Sequence, residues 1–286
     1  MNTENHIGEI ALKYETQGFV HLRKVIPPET LIRVRDAFDA ATDRSAAARQ
    51  TAMKAAGGKL PFFDIENILD QDPAFVELVD LPSVFPVLVA AVGQDIQLNH
   101  TSARLFYPGK TFTAPWHSDI SHVLGVDHSS GASLLVKAHF FFEDLAPDQG
   151  CLAFIPGSHR YPATHPKLTI HDIDSSPAVV KTVPRAGDVV IFNTHVRHMA
   201  TDNSSSRVRK SIIYAYSHYW MKHYANAVPS DLARFATTPQ RKQLFGIDIE
   251  GVPHFNRRLN GDLSGTRDRG LFTSGMRILR RALKRA

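Results

Sequence analysis

The 286 residues are 43% hydrophobic, enough to bury one sizeable core. A single cysteine, Cys151, excludes an internal disulfide, and no apolar run reaches the length of a membrane span. The formal charge of +5 equals the contribution of Arg277, Arg280, Arg281, Lys284 and Arg285 in segment 276–286, so the rest is near neutral. That distribution argues against a nucleic-acid partner. The polar first residues lack a basic-then-apolar leader pattern, and a cytoplasmic protein is the expectation.

Taken in order, residues 6–16 place Ile7, Ile10, Ala11 and Tyr14 at helical spacing, and Gly18 ends that helix before a strand at 19–22. Pro27-Pro28 starts a second helix, in which Leu31, Ile32, Val34, Phe38 and Ala41 form an apolar face. Residues 46–56 extend the helical region. Gly57-Gly58 and Pro61 then predict a loop carrying Phe62, Phe63 and Asp64. Packing is the default role of these aromatics, and Phe62 and Phe63 are also candidates to face a substrate. Helices are expected around 75–79 and 83–92.

From Asp95 the texture changes to short strands, at 96–99 and 103–107, followed by Trp116-His117-Ser118-Asp119. In extended chain, residues two apart share a face, so His117 and Asp119 present an imidazole and a carboxylate together. A second histidine from far along the chain would complete the ligand set of non-haem Fe(II) oxygenases. The loop 120–132 leaves directly from this triplet and is a candidate lid, with His122 a third candidate to face a substrate. Residues 134–142 read as an apolar, β-prone run. Residues 151–155 read as a strand leading into Pro156-Gly157-Ser158-His159, a turn in which His159 is structural. Segment 161–186 is irregular and proline-rich, and its first part is expected to border the site.

After Gly187-Asp188 come a strand at 189–192, His198, a tight loop over Asp202-Asn203-Ser204-Ser205, and a strand at 207–216. A hairpin centred between Asn203 and Ser204 would set His198 opposite Arg209. His195 is the rival ligand, but three residues away in a strand it would face the other side. Aromatic residues and histidines in 217–224 read as core, and helices are expected at 230–235 and 239–244.

The constellation resembles the phytanoyl-CoA dioxygenase family of Fe(II)/2-oxoglutarate oxygenases. The resemblance rests on Trp116-His117-Ser118-Asp119, Phe142-Glu143-Asp144-Leu145, Gln149-Gly150-Cys151-Leu152, Ile155-Pro156-Gly157-Ser158-His159, Gly187-Asp188, His198, Asn203 and Arg209. It implies His117, Asp119 and His198 as Fe(II) ligands, Arg209 as the cation for the 2-oxoglutarate C5 carboxylate, and O₂ as second substrate. It places His139, Asn99 and Thr201 near the co-substrate. His139 stands where the family commonly has Trp, and Ala200, just before Thr201, where Ser is frequent.

The resemblance further implies a mainly β fold with flanking helices, a double-stranded β-helix of the jelly-roll, cupin-like kind beneath a helical N-terminal layer. One domain is expected over 1–275, comprising the helical layer 1–94, the barrel 95–220 and helices within 229–275, with 276–286 a basic tail. The implied activity is oxidation of an unactivated C–H bond in a small organic molecule, with hydroxylation the default and a secondary metabolite favoured over an acyl-CoA. Two rival readings remain open: a Zn²⁺ hydrolase with the same ligands, and a non-catalytic small-molecule-binding barrel.

Overall fold

In the computed structural model the described residues are 3–110, 116–119, 133–161, 170, 175–221 and 232–247. The sequence expectations for loop 120–132, including His122, for most of 162–174 and for the basic tail lie outside them. Two antiparallel sheets face each other. The larger has six strands in the order β1-β7-β4-β9-β3-β2, and the smaller has three in the order β6-β5-β8. In chain order the strands are β1 Phe19–Leu22, β2 Phe62–Glu66, β3 Ile96–Phe106, β4 Leu135–Phe140, β5 Leu152–Phe154, β6 Val180–Thr182, β7 Val189–Asn193, β8 His198–Ala200 and β9 Arg209–His218. This is the two-sheet arrangement of a jelly roll.

Helices cover one face of the larger sheet. They are α1 Thr3–Gln17, α2 Pro28–Arg44, α3 Ala46–Ala55 and α4 Phe85–Val92, with α5 Pro239–Leu244 near the end of the described chain. Pro28 sits in the first turn of α2, where its missing N–H costs no helical bond, and Val34, Ala37, Phe38 and Ala41 are buried along one stripe. The short α4 buries Phe85, Val87, Leu88, Val89 and Val92, so it is core nearly all round. These side chains pack with Ala103, Leu105, Val136, Ala138, Phe140, Ile212, Tyr214 and Tyr216 of the sheet. The two tyrosine hydroxyls donate to Phe75 O at 2.6 Å and Val79 O at 2.8 Å, so neither polar group is stranded.

A second core closes the gap between the sheets. Phe19, Val190 and Phe192 from the large sheet meet Leu152 and Phe154 from the small one. Phe19 and Phe154 stack with centroids 4.3 Å apart, and Phe154 and Phe192 are 5.4 Å apart. This apolar plug holds the sheets together below a polar space above.

Three expectations need correction. The segment read as a loop at Phe62 is β2, paired with β3 from Phe62↔Phe106 to Glu66↔Ser102. The strands expected at 96–99 and 103–107 are one strand, β3, whose register shifts between Leu98 and His100. Most consequentially, β8 and β9 do not form a hairpin pair. His198 pairs with Phe154 and with His117, while Arg209 pairs with Phe106. The chain between them crosses from the small sheet to the large one, a switch that local turn chemistry does not announce.

Candidate active site

Alternation along the large sheet sets the character of the space between the sheets. On β9, Tyr214 and Tyr216 point to the helices, so Arg209, Ser211, Ile213 and Ala215 point inward. Register carries this parity across the sheet. Arg209 is paired with Phe106, Ser211 with Arg104, Ile213 with both His139 and Ser102, and Ala215 with Lys137. On β2 the inward residues are Phe62, Asp64 and Glu66, paired with Phe106, Arg104 and Ser102. The inner wall thus gathers Asp64, Glu66, His100, Arg104, Lys137 and His139 on three strands, together with Arg209.

The metal-type cluster sits at the small-sheet side. His117 and His198 form an antiparallel bridge, with His117 N donating to His198 O at 3.1 Å and His198 N to His117 O at 3.0 Å. Their rings lie 4.4 Å apart. Asp119 is anchored separately, its N–H donating to Thr194 O at 2.9 Å. Ligand atoms of His117, Asp119 and His198 all lie within 4.8 Å of one another. His117 Nε2 is 3.6 Å from Asp119 Oδ1, and His198 Nε2 is 3.6 Å from Oδ2. His198 Nδ1 lies 2.8 Å from Val196 O, a contact that fixes the proton on Nδ1 and leaves Nε2 as a lone-pair donor.

Electrostatics favours the ligand forms. Burial pushes His198 down to about 4 despite the pull of Asp119, so the imidazole is neutral at pH 7. Burial alone would raise the Asp119 carboxyl, but Lys137, His198 and His117 together hold it below the usual carboxylate range. Two imidazoles and a carboxylate form the donor set that suits a first-row divalent metal with open positions.

His195 is not part of this cluster. It lies in the turn Thr194–Arg197 between β7 and β8, where its N–H donates to Asn193 Oδ1 at 2.9 Å. The expectation that strand alternation would turn it away was wrong in its reasoning, because no strand runs through His195. His159 is buried in a short 3₁₀ turn, with Nε2 3.2 Å from Glu15 O.

Arg209 is 1% exposed. Its Nη1 donates to Gly150 O, and its guanidinium carbon lies 4.3 Å over the Phe106 ring. Gly150 has φ +70°, and a Cβ there would stand 2.6 Å from the Phe106 ring, so glycine is required for this approach. Gln149 and Asn203 brace the same wall: Gln149 donates to Val208 O at 3.2 Å and Asn203 to Arg207 O at 2.8 Å. Among the described residues no carboxylate lies within ion-pair distance of Arg209, and its Nε has no partner. Burial pulls its pKa down to about 9, with Arg104 adding to the effect. A buried guanidinium so placed fits an anionic ligand. Arg207 stands two residues earlier, exposed and ahead of the strand, so it does not share the Arg209 wall.

The other expected site residues separate. His139 is inward and buried between Lys137 and Arg209 in charge terms, with its ring 5.3 Å from Phe192 and Nδ1 without a partner. Burial first, then those cations, pushes it far below the ordinary histidine value. Asn99 sits at the β3 register shift and donates to Ser217 Oγ at 3.1 Å. Thr201 follows β8, its N–H donating to Cys151 O at 2.8 Å. Phe62 faces inward with Arg104 stacked at 4.2 Å, whereas Phe63 packs against the helical core.

Sequence reasoning missed Lys137, whose Nζ lies 2.9 Å from Asp119 Oδ2. It also missed Arg104, bonded through two nitrogens to Asp64 at 2.7 and 2.6 Å. The signal for Lys137 was a lone charge in an otherwise apolar strand. Gly187-Asp188 proves to be a structural clamp: Asp188 accepts from His21 Nε2, Lys24 N and Arg185 N and pins the chain after β1 to the start of β7.

The family profile for phytanoyl-CoA dioxygenase (PhyH) matches residues 14–211. A probable phytanoyl-CoA dioxygenase of Caenorhabditis elegans is 26% identical over 249 residues, covering 78% of this chain and 75% of the relative. The human peroxisomal phytanoyl-CoA dioxygenase is 23% identical over 222 residues, and the match spans 70% of this chain and 64% of the human protein. Among solved structures, the epimerase SnoN in complex with Fe³⁺, alpha ketoglutarate and nogalamycin RO superposes with TM-score 0.54 at 18% identity. That match covers 79% of this chain and 91% of SnoN. The carbocyclase SnoK gives TM-score 0.54 at 19% identity, covering 79% and 89%. At this distance the two structures establish a shared fold. With the profile matched from the end of α1 into β9, the chain belongs to the phytanoyl-CoA dioxygenase family and is an Fe(II)/2-oxoglutarate-dependent oxidoreductase.

Proposed function

We propose that the protein hydroxylates an unactivated C–H bond of a small organic molecule. The observation that carries this reading is the buried Arg209, without a carboxylate partner among the described residues, on the wall that faces His117, Asp119 and His198. A hydrolytic metal centre would have no use for a guanidinium kept there at a desolvation cost. A 2-oxoglutarate-binding site needs a cation for the far carboxylate.

His117 Nε2, Asp119 and His198 Nε2 are the groups that would hold Fe(II), and Arg209 would take the C5 carboxylate. When bound, the metal with 2-oxoglutarate and O₂ supplies the oxidising chemistry, and succinate and CO₂ leave. The chain's own part is geometric. The β-bridge fixes the two imidazoles, Thr194 fixes the Asp119 backbone, and Gly150 and Phe106 fix the guanidinium. The unpartnered Nδ1 of His139 supports its place beside the co-substrate, and Asn99 and Thr201 are assigned to the same neighbourhood. Phe62, stacked under Arg104, is the inward aromatic offered to the organic substrate.

A secondary-metabolite scaffold is favoured over an acyl-CoA, in keeping with the nogalamycin-pathway proteins of the same fold. The decisive experiment is anaerobic: Fe(II)-loaded protein should develop a weak visible band only when 2-oxoglutarate is added. A 2-oxoglutarate-consumption screen over compound classes then identifies the substrate. Absence of both the band and any 2-oxoglutarate binding would overturn the reading.

A further inference from the structure

Asp119 differs from its two histidine partners in how it is held. His117 and His198 are fixed by their mutual backbone bridge. Asp119 lies beyond that bridge and takes its position from two other attachments. Its N–H donates to Thr194 O, and Thr194 in turn donates through both N and Oγ1 to Leu135 O, at 3.1 and 2.8 Å. Its side chain reaches the same strand two residues on, with Oδ2 2.9 Å from Lys137 Nζ. Leu135 and Lys137 share one face of β4, so backbone and carboxylate are both referenced to a single rigid strand. The Lys137 side chain is only 17% exposed, as is that of Asp119. An ammonium placed there carries a desolvation cost that a surface lysine would not.

We propose that Lys137 is a positioning residue for the metal-binding carboxylate: its ammonium, ion-paired with Oδ2 at 2.9 Å, limits how far the carboxylate can turn toward the metal. A carboxylate free to turn could offer both oxygens and take a coordination position that the co-substrate needs. The inference rests on the metal-centre reading above. It has a rival, in which the ammonium merely neutralises Asp119 and opposes the metal; the two roles predict opposite changes in affinity.

Co(II) alone is a suitable probe, because its visible bands report the number and kind of ligands without turnover. Lys137→Met should alter the Co(II) spectrum and weaken Co(II) binding about 10- to 100-fold, the usual effect of losing a partner behind a metal ligand. Lys137→Arg should restore a large part of both. Lys137→Gln keeps the test available if the methionine variant does not fold. A methionine or glutamine variant with the wild-type spectrum and affinity, or with tighter Co(II) binding, overturns the proposal. The co-substrate reading is tested separately by the 2-oxoglutarate band of the wild-type protein, so its failure would leave the Co(II) comparison to decide the lysine.

Discussion

The two faces of the large sheet are built from alternate residues of the same strands, yet they follow different rules. Toward the helices, β9 shows Ile212, Tyr214 and Tyr216 and β4 shows Val136, Ala138 and Phe140; both tyrosine hydroxyls find a carbonyl, and Lys210 at the strand's start is ion-paired with Asp39. Toward the small sheet, the same two strands show Arg209, Ser211, Lys137 and His139. The outer face is organised for stability. The inner face holds cations out of water, one of them unpaired, and that is costly unless something else enters. A cost confined to one parity of the strands identifies the functional face without reference to any motif.

The largest expected effect removes the metal. His198→Ala should cut Fe(II) or Co(II) affinity by more than the roughly 100-fold typical of losing a partner behind a ligand, because the nitrogen that would hold the metal is itself gone. His195→Ala, in the neighbouring turn, should retain most of it. Metal titration of the two variants checks the contrast, and equal losses would break the division between ligand and turn residue.

Next is the co-substrate. Arg209→Ala should raise the 2-oxoglutarate requirement by roughly 100-fold or more, since a buried charge pair lost from one side costs about 3–5 kcal/mol. The exposed Arg207→Ala should change it little. Anaerobic titration of the visible band measures both.

That contrast rests on β9 beginning at Arg209, two residues later than the strand expected from residue 207. The helices, β1, β4, β7 and β9 were legible because apolar period and Gly/Pro punctuation agree there. The pairing of His117 with Asp119 was legible because they are two residues apart, whereas His198 joined them only through the family resemblance. β2 was missed although Phe62 to Glu66 alternates inward and outward, since Gly57, Gly58 and Pro61 made the segment read as loop. The relation of His198 to Arg209 was misread because local turn residues describe a hairpin equally well when the strands part into different sheets. Lys137 and Arg104 acquire meaning only once register sets them beside Asp119 and Asp64.

The inner face also makes a prediction about stability. Without metal or co-substrate, Arg209→Met should stabilise the fold by about 1–3 kcal/mol, because an unpaired buried cation is replaced by an apolar chain of similar length. The sign follows from linkage. Burial lowers the folded-state pKa of Arg209 to about 9, so the penalty is complete wherever both states are charged. The gain should therefore be full at neutral pH and shrink only as pH rises past about 9. Urea unfolding of the metal-free proteins at pH 7 and pH 10 tests both parts. A destabilised variant at pH 7 would mean that the stack on Phe106 outweighs the buried charge.

The smallest effect belongs to the other face. Tyr214→Phe removes a hydroxyl that donates to Phe75 O at 2.6 Å while leaving the ring, 5.3 Å from Phe140, in place. The carbonyl of Phe75 is then left without this donor, so the cost should be about 1 kcal/mol, with a range of 0.5–1.5 for a single neutral bond. The side chain points away from the site, and its neighbours Ile213 and Ala215 keep their inward places. The 2-oxoglutarate band and the metal affinity should therefore match wild type while the urea midpoint falls. Arg209→Met reverses this pattern, with stability gained and the co-substrate lost. If Tyr214→Phe disturbed co-substrate binding as well, the two faces of β9 would be mechanically coupled, and parity alone would no longer separate stability from function.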